Sequence, residues 1–113
     1  MLYIRNDSND PYYNMAVEEY VIKSLDPSEE YFFLWQNRPV VVVGKNQNTI
    51  EEVNMNFVKE NNIAVVRRLS GGGAVYHDLG NVNFTFVVEY RPEDLNSIKR
   101  FCTAVVKALE KMG

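Results

Sequence analysis

Cysteine is almost missing from this chain. Cys102 is the only one in 113 residues, so no internal disulfide can form, and the composition suits a reducing cytosol. Long apolar runs are missing too: Val40 to Val43 is strand-sized, and no run approaches the length that crosses a membrane. The N-terminus carries Asp7 and Asp10 and no extended apolar core, which does not suit a secretory signal. Nor is there an excess of positive charge. The formal net charge is -3, which supplies no general attraction to nucleic acid, so basic residues count only where they cluster. Repeats, linkers and low-complexity tracts are lacking. With 46% hydrophobic and 12% aromatic residues the chain is nonetheless no disordered segment. The expectation is one compact cytoplasmic unit without a membrane or nucleic-acid partner.

What is present divides into short elements. Leu2 to Arg5 reads as a strand. Asp10-Pro11 is a helix start, a capping carboxylate followed by a ring that lacks an N–H where none is needed. Tyr13, Val17, Tyr20 and Val21 recur at helical spacing to Leu25, flanked by Ala16, with Glu18 and Glu19 expected to be mainly solvated. Tyr31 to Trp35 and Val40 to Val43 are β-rich, and Gln36-Asn37-Arg38-Pro39 between them suits a hairpin turn. The second of these strands is apolar on both faces and so needs cover on both sides. Lys45-Asn46-Gln47-Asn48 is either a ligand-facing loop or a plain turn. Asn54 to Asn61 reads as a short helix and Ile63 to Arg67 as a strand. Val82 to Glu89 alternates, with Phe84, Phe86 and Val88 expected in the core and Asn83, Thr85 and Val87 on the other face, whose polar start suits the floor of a partly polar site. Gly80-Asn81 is a turn. From about Pro92 to Met112 a helix is expected to bury Leu95, Ile98, Phe101, Cys102, Val105, Leu109 and Met112 along one stripe. Cys102 on that stripe is a small hydrophobe rather than a nucleophile.

The chemistry concentrates in Arg67-Arg68-Leu69-Ser70-Gly71-Gly72-Gly73-Ala74-Val75-Tyr76-His77-Asp78. Contiguous glycines are costly to order unless the backbone needs positive φ or another molecule must approach it closely. Open N–H groups beside guanidinium groups would receive phosphate or carboxylate oxygens. No Gly-Lys-Ser/Thr follows, which excludes a P-loop, and the glycines are not spaced as in a dinucleotide fingerprint. A glycine-rich hairpin with surface arginines is the plainer alternative.

This segment, continued through Leu79-Gly80-Asn81, closely resembles the signature of the lipoate-protein ligase A family. Asn14-Met15-Ala16-Val17-Glu18-Glu19, Phe33-Leu34-Trp35 and Val43-Gly44-Lys45-Asn46-Gln47-Asn48 resemble three further family blocks in order. The resemblance implies an α+β fold, a mixed, largely antiparallel sheet with helices on its outer face, as in biotin ligases and class II aminoacyl-tRNA synthetases. It implies ATP as substrate with Mg²⁺, and activation of lipoate to lipoyl-AMP. The lipoyl group would then pass to a lysine of lipoyl-acceptor domains, those of 2-oxoacid dehydrogenase complexes or the glycine cleavage H protein. Arg68 matches the ATP-contacting arginine, and Gly73, Ala74, Val75 and Tyr76 match the run whose backbone holds the adenylate. Trp35, Ser70, Gly72, His77 and Asn83 would line the lipoate site, His77 as a hydrogen-bonding wall residue. No metal ligand is assigned, because His77 and Asp78 alternate along a strand and rarely converge.

The family also carries a later glycine-rich block with an essential lysine, which would begin after Gly113. Residues 1–113 are therefore expected to be the N-terminal portion of a ligase catalytic domain, with no catalytic lysine of their own and little activity alone. A transferase of the same fold would need a cysteine nucleophile and no ATP. A biotin ligase would carry a Gly-Arg-Gly-Arg type of loop. A non-catalytic acyl- or adenylate-binding fragment is the third alternative.

Overall fold

The computed structural model describes residues 1–94 and 98–113. Its strands are β1 (Leu2–Ile4), β2 (Tyr31–Trp35), β3 (Val40–Val43), β4 (Ala64–Arg67), β5 (Val75–His77) and β6 (Asn83–Val87), and its helices are α1 (Pro11–Ser24), α2 (Thr49–Glu52), α3 (Met55–Glu60) and α4 (Ile98–Met112). The strands form two three-stranded sheets, ordered β1-β2-β6 and β4-β3-β5. Each sheet has one parallel pair, β1 with β2 and β3 with β4, and one antiparallel pair, β2 with β6 and β3 with β5. The fold is mixed α+β as expected, but parallel and antiparallel pairing are balanced rather than largely antiparallel.

The hairpin expected between β2 and β3 does not form, since the two strands belong to different sheets. Their connector is tied elsewhere. Arg38 N donates to Asn9 O at 2.9 Å, Gln36 Nε2 donates to Leu79 O at 2.9 Å, and Asn37 is fully buried. Polar side chains with obligatory partners pull this segment across the gap between the sheets instead of closing a turn.

α1 begins as its sequence requires: Asp10 caps it by accepting from Tyr12 N at 3.0 Å. Its inward face differs from the expected stripe. Tyr13 and Tyr20 are exposed, whereas Asn14, Met15, Val17, Glu18 and Val21 turn inward to varying depth. The helix touches β4 of one sheet and β6 of the other. Met15 packs on both cores, that of Val21, Tyr31, Phe33 and Trp35 and that of Val40, Val42, Ala64 and Val66. A third cluster, Val43, Val53 and Val58, covers the opposite face of β3. The two-faced apolar character of β3 is thus matched by cover on both sides.

β6 reverses the expected polarity of its faces. Val87 joins the core of Val21 and Phe33, and Thr85 and Asn83 face Trp35 on the same side. Phe84 is exposed, and Phe86 stacks outward on Phe32 at 4.7 Å and Phe101 at 5.8 Å. The outer face of this sheet is itself aromatic, so alternation alone could not say which side α1 would cover. The C-terminal helix starts at Ile98, preceded by a 3₁₀ turn at Pro92–Asp94. Leu95, the first residue of the expected stripe, lies outside the described residues. Of the rest, Phe101, Cys102 and Val105 are half-buried, and Ile98, Leu109 and Met112 are exposed. Cys102 is therefore only partly the buried residue that its spacing suggested.

Candidate functional site

The glycine segment leaves β4 and returns as β5, and both of its arginines are fixed by backbone carbonyls. Arg67 turns to the loop after β3. Its Nη1 donates to Gly44 O at 2.8 Å and Gln47 O at 2.8 Å, and its Nη2 to Thr49 Oγ1 at 2.8 Å. Arg68 turns the other way: Nη1 donates to Val42 O at 3.2 Å, Nη2 to Gly71 O at 2.9 Å and Gly73 O at 2.7 Å. Arg68 thus folds the glycine segment around its own guanidinium. The sequence alone suggested free cationic donors beside open amides, whereas several donors already serve the loop.

The segment is also pinned from below. Gly72 adopts φ 99°, a left-handed conformation that favours glycine. Its carbonyl oxygen lies 2.0 Å from where a Cβ on Gly44 would sit, so Gly44 is required by the close approach of the two backbones. Lys45 N donates to Ser70 O at 2.9 Å, and Gln47 Oε1 accepts from Gly44 N at 2.7 Å. Asn48 caps α2. The tetrad 45–48 is accordingly a structural turn under the glycines.

Beside this loop opens a cleft of about 370 Å³, lined by Met15, Glu18, Trp35, Val42, Arg68, Ser70, Val75, His77, Val82, Asn83, Phe84 and Thr85. Trp35, Arg68, Ser70, His77 and Asn83, singled out from the sequence, are brought together here. Gly72 and Gly73 lie in the adjoining exposed loop, and a Cβ on Gly73 would meet nothing within 4 Å. Ala74 packs toward Val43 and Val58. Val75 lines the cleft, while Tyr76, its neighbour on β5, is exposed.

Behind the cleft wall run two polar chains. Trp35 Nε1 donates to Thr85 Oγ1 at 3.0 Å, which donates to Glu18 Oε1 at 3.0 Å. Asn14 Nδ2 donates to Ser8 O at 3.0 Å, Gln36 O at 2.8 Å and Asn37 Oδ1 at 2.8 Å, and Asn14 Oδ1 accepts from Asn6 Nδ2 at 2.9 Å. Asn37 Nδ2 then lies 3.3 Å from His77 Nδ1. Burial, and after it the charge of Arg68, lowers the His77 pKa below 6.5. The cleft therefore combines the Arg68 cation, a neutral imidazole, hydroxyl and amide groups and the Glu18 carboxylate, which accepts from Thr85, with apolar walls; the acyl chain fits along those walls with its oxyanion at the Arg68 side.

Sequence reasoning set Thr85 beside Asn83 on a face suited to the floor of a site, and both line the cleft, but it did not single out Asn14 or Asn37 and gave Glu18 a mainly solvated role. An asparagine inside a helix is a poor helix former that competes for backbone groups, and Asn14 carried that signal. Asn37 carried none, because it sits among turn-forming residues. A larger groove of about 520 Å³ lies between Val21, Leu25, Tyr31 and Tyr90. Its charged lining is Asp26, Glu29 and Glu89, which would repel a carboxylate or phosphate.

Residues 10–113 match the family described as the lipoyl protein ligase A/B catalytic domain. Lipoate-protein ligase LplJ of Bacillus subtilis is 52% identical over 114 aligned positions, covering 100% of this chain and 34% of that protein. Lipoate-protein ligase 1 of Staphylococcus aureus is 50% identical, covering 96% of this chain and 33% of its own length. The chain thus spans about a third of the curated relatives it matches. Among solved structures, a bi-partite lipoate protein ligase of Thermoplasma acidophilum, studied with its E2 lipoyl domain, superposes with a TM-score of 0.78 at 31% identity, over 97% of this chain and 43% of that one. A lipoate-protein ligase A bound with ATP superposes with a TM-score of 0.61 at 36% identity, over 64% of this chain and 30% of that one.

Proposed function

Because this chain belongs to the lipoyl protein ligase A/B catalytic domain family, we propose that it forms the N-terminal part of an AMP-forming lipoate-protein ligase. In the proposed reaction a carboxylate oxygen of lipoate attacks the α-phosphorus of ATP, supplied as its Mg²⁺ complex. The bond to the bridging oxygen breaks, pyrophosphate leaves, and the mixed anhydride lipoyl-AMP remains. A lysine amine of a lipoyl-acceptor domain then attacks the acyl carbon and releases AMP. The solved relatives bound to ATP and studied with an E2 lipoyl domain support the nucleotide and the class of acceptor.

The observation that carries this proposal is the place of Arg68. It orders the glycine loop through carbonyls of Val42, Gly71 and Gly73 and lines the same cleft as Trp35 and His77. A fixed cation at the rim of an apolar-walled cleft stabilises charge that develops on the α-phosphate and on the carboxylate. Gly73, Ala74, Val75 and Tyr76 supply backbone to the adenylate, and Trp35, Ser70, Gly72, His77 and Asn83 surround the acyl end. Among the described residues no group of three or more His, Cys, Asp or Glu side chains is arranged to hold a metal. In this scheme Mg²⁺ travels on the phosphates of the substrate, the usual arrangement for a cation that keeps much of its own water.

None of the cleft-lining residues is a lysine. A further cation from outside residues 1–113 completes the site in this scheme, and its loss would lower the rate by roughly 10²–10³. The test is ATP–pyrophosphate exchange. Exchange is expected to require lipoate, to fall sharply in Arg68→Ala, and to be weak for the 113-residue chain by itself. Robust adenylation by that chain alone, or exchange driven equally by biotin, would overturn the scheme. The transferase alternative makes the opposite prediction at Cys102, which is half-buried on α4 and is not among the residues lining the cleft. Cys102→Ser would abolish a transferase and leave the ligase nearly unchanged.

A further inference from the structure

The hydrogen-bond chain behind the cleft admits one direction only. Asn14 is 0% exposed, and its Nδ2 faces two backbone carbonyls, Ser8 O and Gln36 O, which can only accept. Rotating the amide by half a turn would set its oxygen against both carbonyls, so the orientation is fixed. Asn14 Nδ2 carries only donors, so the Asn37 atom 2.8 Å from it is the acceptor Oδ1 rather than a second NH₂, and the two N–H groups are shared among three acceptors. Asn37 is likewise 0% exposed, and once its oxygen is committed only its NH₂ is left to face His77 Nδ1, at 3.3 Å. A donor there requires an acceptor on the ring. Nδ1 must carry the lone pair and the proton must sit on Nε2, the ring nitrogen that Asn37 leaves free, on a side chain lining the cleft.

We infer that Asn14 and Asn37 are positioning residues that lock His77 as a neutral Nε2–H donor, set to hydrogen-bond an oxygen of the acyl group bound in the cleft. The identity of that oxygen rests on the function proposed above; the relay itself does not. Protonating Nδ1 would press an N–H against the Asn37 NH₂, so the relay and the buried setting both oppose the imidazolium. The charged groups that line the cleft with His77 are Arg68, from the glycine loop, and Glu18, from α1. Asp78, next to His77 in sequence, turns away to accept from Gly80 N at 2.8 Å. A locked donor differs from a general base: it offers a proton to a developing oxyanion without taking one up.

The chain contains a single histidine, so ¹⁵N–¹H long-range spectra report this ring without assignment ambiguity. In the unliganded wild-type protein the Nε2–H pattern is expected above pH 7, with the midpoint of titration below 6.5. An Nδ1–H pattern or an even mixture of tautomers would overturn the relay. Asn37→Asp keeps the acceptor that Asn14 needs but replaces the donor facing His77 with a second acceptor. That variant should move the proton to Nδ1 and raise the titration midpoint above 6.5, and an unchanged spectrum would overturn the inference. Lipoate with Mg-ATP is then added to the wild type. A locked tautomer whose Nε2 signal does not move would overturn the donor's target, leaving the relay and the proposed function, which the exchange assay tests separately; a free tautomer overturns the relay whatever the ligand does.

Discussion

At the residue scale, the two adjacent arginines at the end of β4 turn opposite ways and divide labour. Arg67 holds the loop after β3 and Arg68 holds the glycine segment, so the pair is a brace between two loops as well as a source of charge. The brace depends on Gly44. Gly44→Ala would drive a methyl group into the Gly72 carbonyl, 2.0 Å away, where backbone rather than a flexible side chain must yield. A loss of about 2–3 kcal/mol in urea unfolding is expected. Gly73→Ala meets open space and should leave stability unchanged to within about 0.5 kcal/mol while weakening adenylate binding. Equal stabilities for the two variants would refute this contrast. His77 makes a pH-dependent contribution whose sign follows from its lowered pKa, caused first by burial and then by Arg68. The unfolded ring, near 6.5, binds a proton more readily than the folded one. Its stabilising effect is therefore complete above pH 6.5 and is lost as pH falls through the folded value. Urea unfolding between pH 5 and 7.5 should show this slope (roughly one proton at most), and His77→Gln should remove it.

At the element scale, α1 and α4 are opposites. α1 sits between the two sheets with a mixed inward face of asparagine, methionine, valine and glutamate, and its periodicity misled because Tyr13 and Tyr20 face outward. α4 has a clean apolar stripe, yet among its residues none is fully buried, and its ring contact to the sheet is that of Phe101 with Phe86 at 5.8 Å. Local opening follows burial rather than amphipathicity. Amide hydrogen exchange is therefore expected to be faster throughout α4 than in the centre of α1, and equal protection of the two helices would contradict this packing. The reversed faces of β6 have the same origin. Asn83, Thr85 and Val87 look less like a core than Phe84, Phe86 and Val88, but Thr85 finds partners in Trp35 and Glu18 that make its burial tolerable.

At the scale of the whole molecule, two small mixed sheets are joined across α1, and Met15 is the side chain packed on both of their cores. Met15 also lines the cleft, so cohesion of the fold and the shape of the site meet in one residue. Met15→Ala is expected to lower stability by about 2 kcal/mol, with an unchanged denaturant slope, and to weaken lipoate binding. A change confined to either quantity would show that the sheets and the cleft are independent. Outside this joint the chain leaves much apolar surface uncovered, including Ile98, Leu109 and Met112 on α4.

Much of this protein could be read from local chemistry. The Asp10-Pro11 helix start, the turn at Gly80-Asn81, the two-sided burial of β3 and the family signature around Arg68 all depend on residues close in sequence, whose propensities and bonding needs are satisfied locally. Ser70, His77 and Asn83 could be named because they fall in or beside that signature, and Trp35 because it ends a separate family block. The division of the strands between two sheets, the outward turn of Phe84, and the roles of Asn14 and Asn37 were decided only in three dimensions. Each depends on partners far along the chain, such as Gln36 O and Asn37 Oδ1 for Asn14 or Trp35 for Thr85. A polar side chain can be buried wherever folding happens to bring such a partner, and no periodicity in the sequence records where that will be.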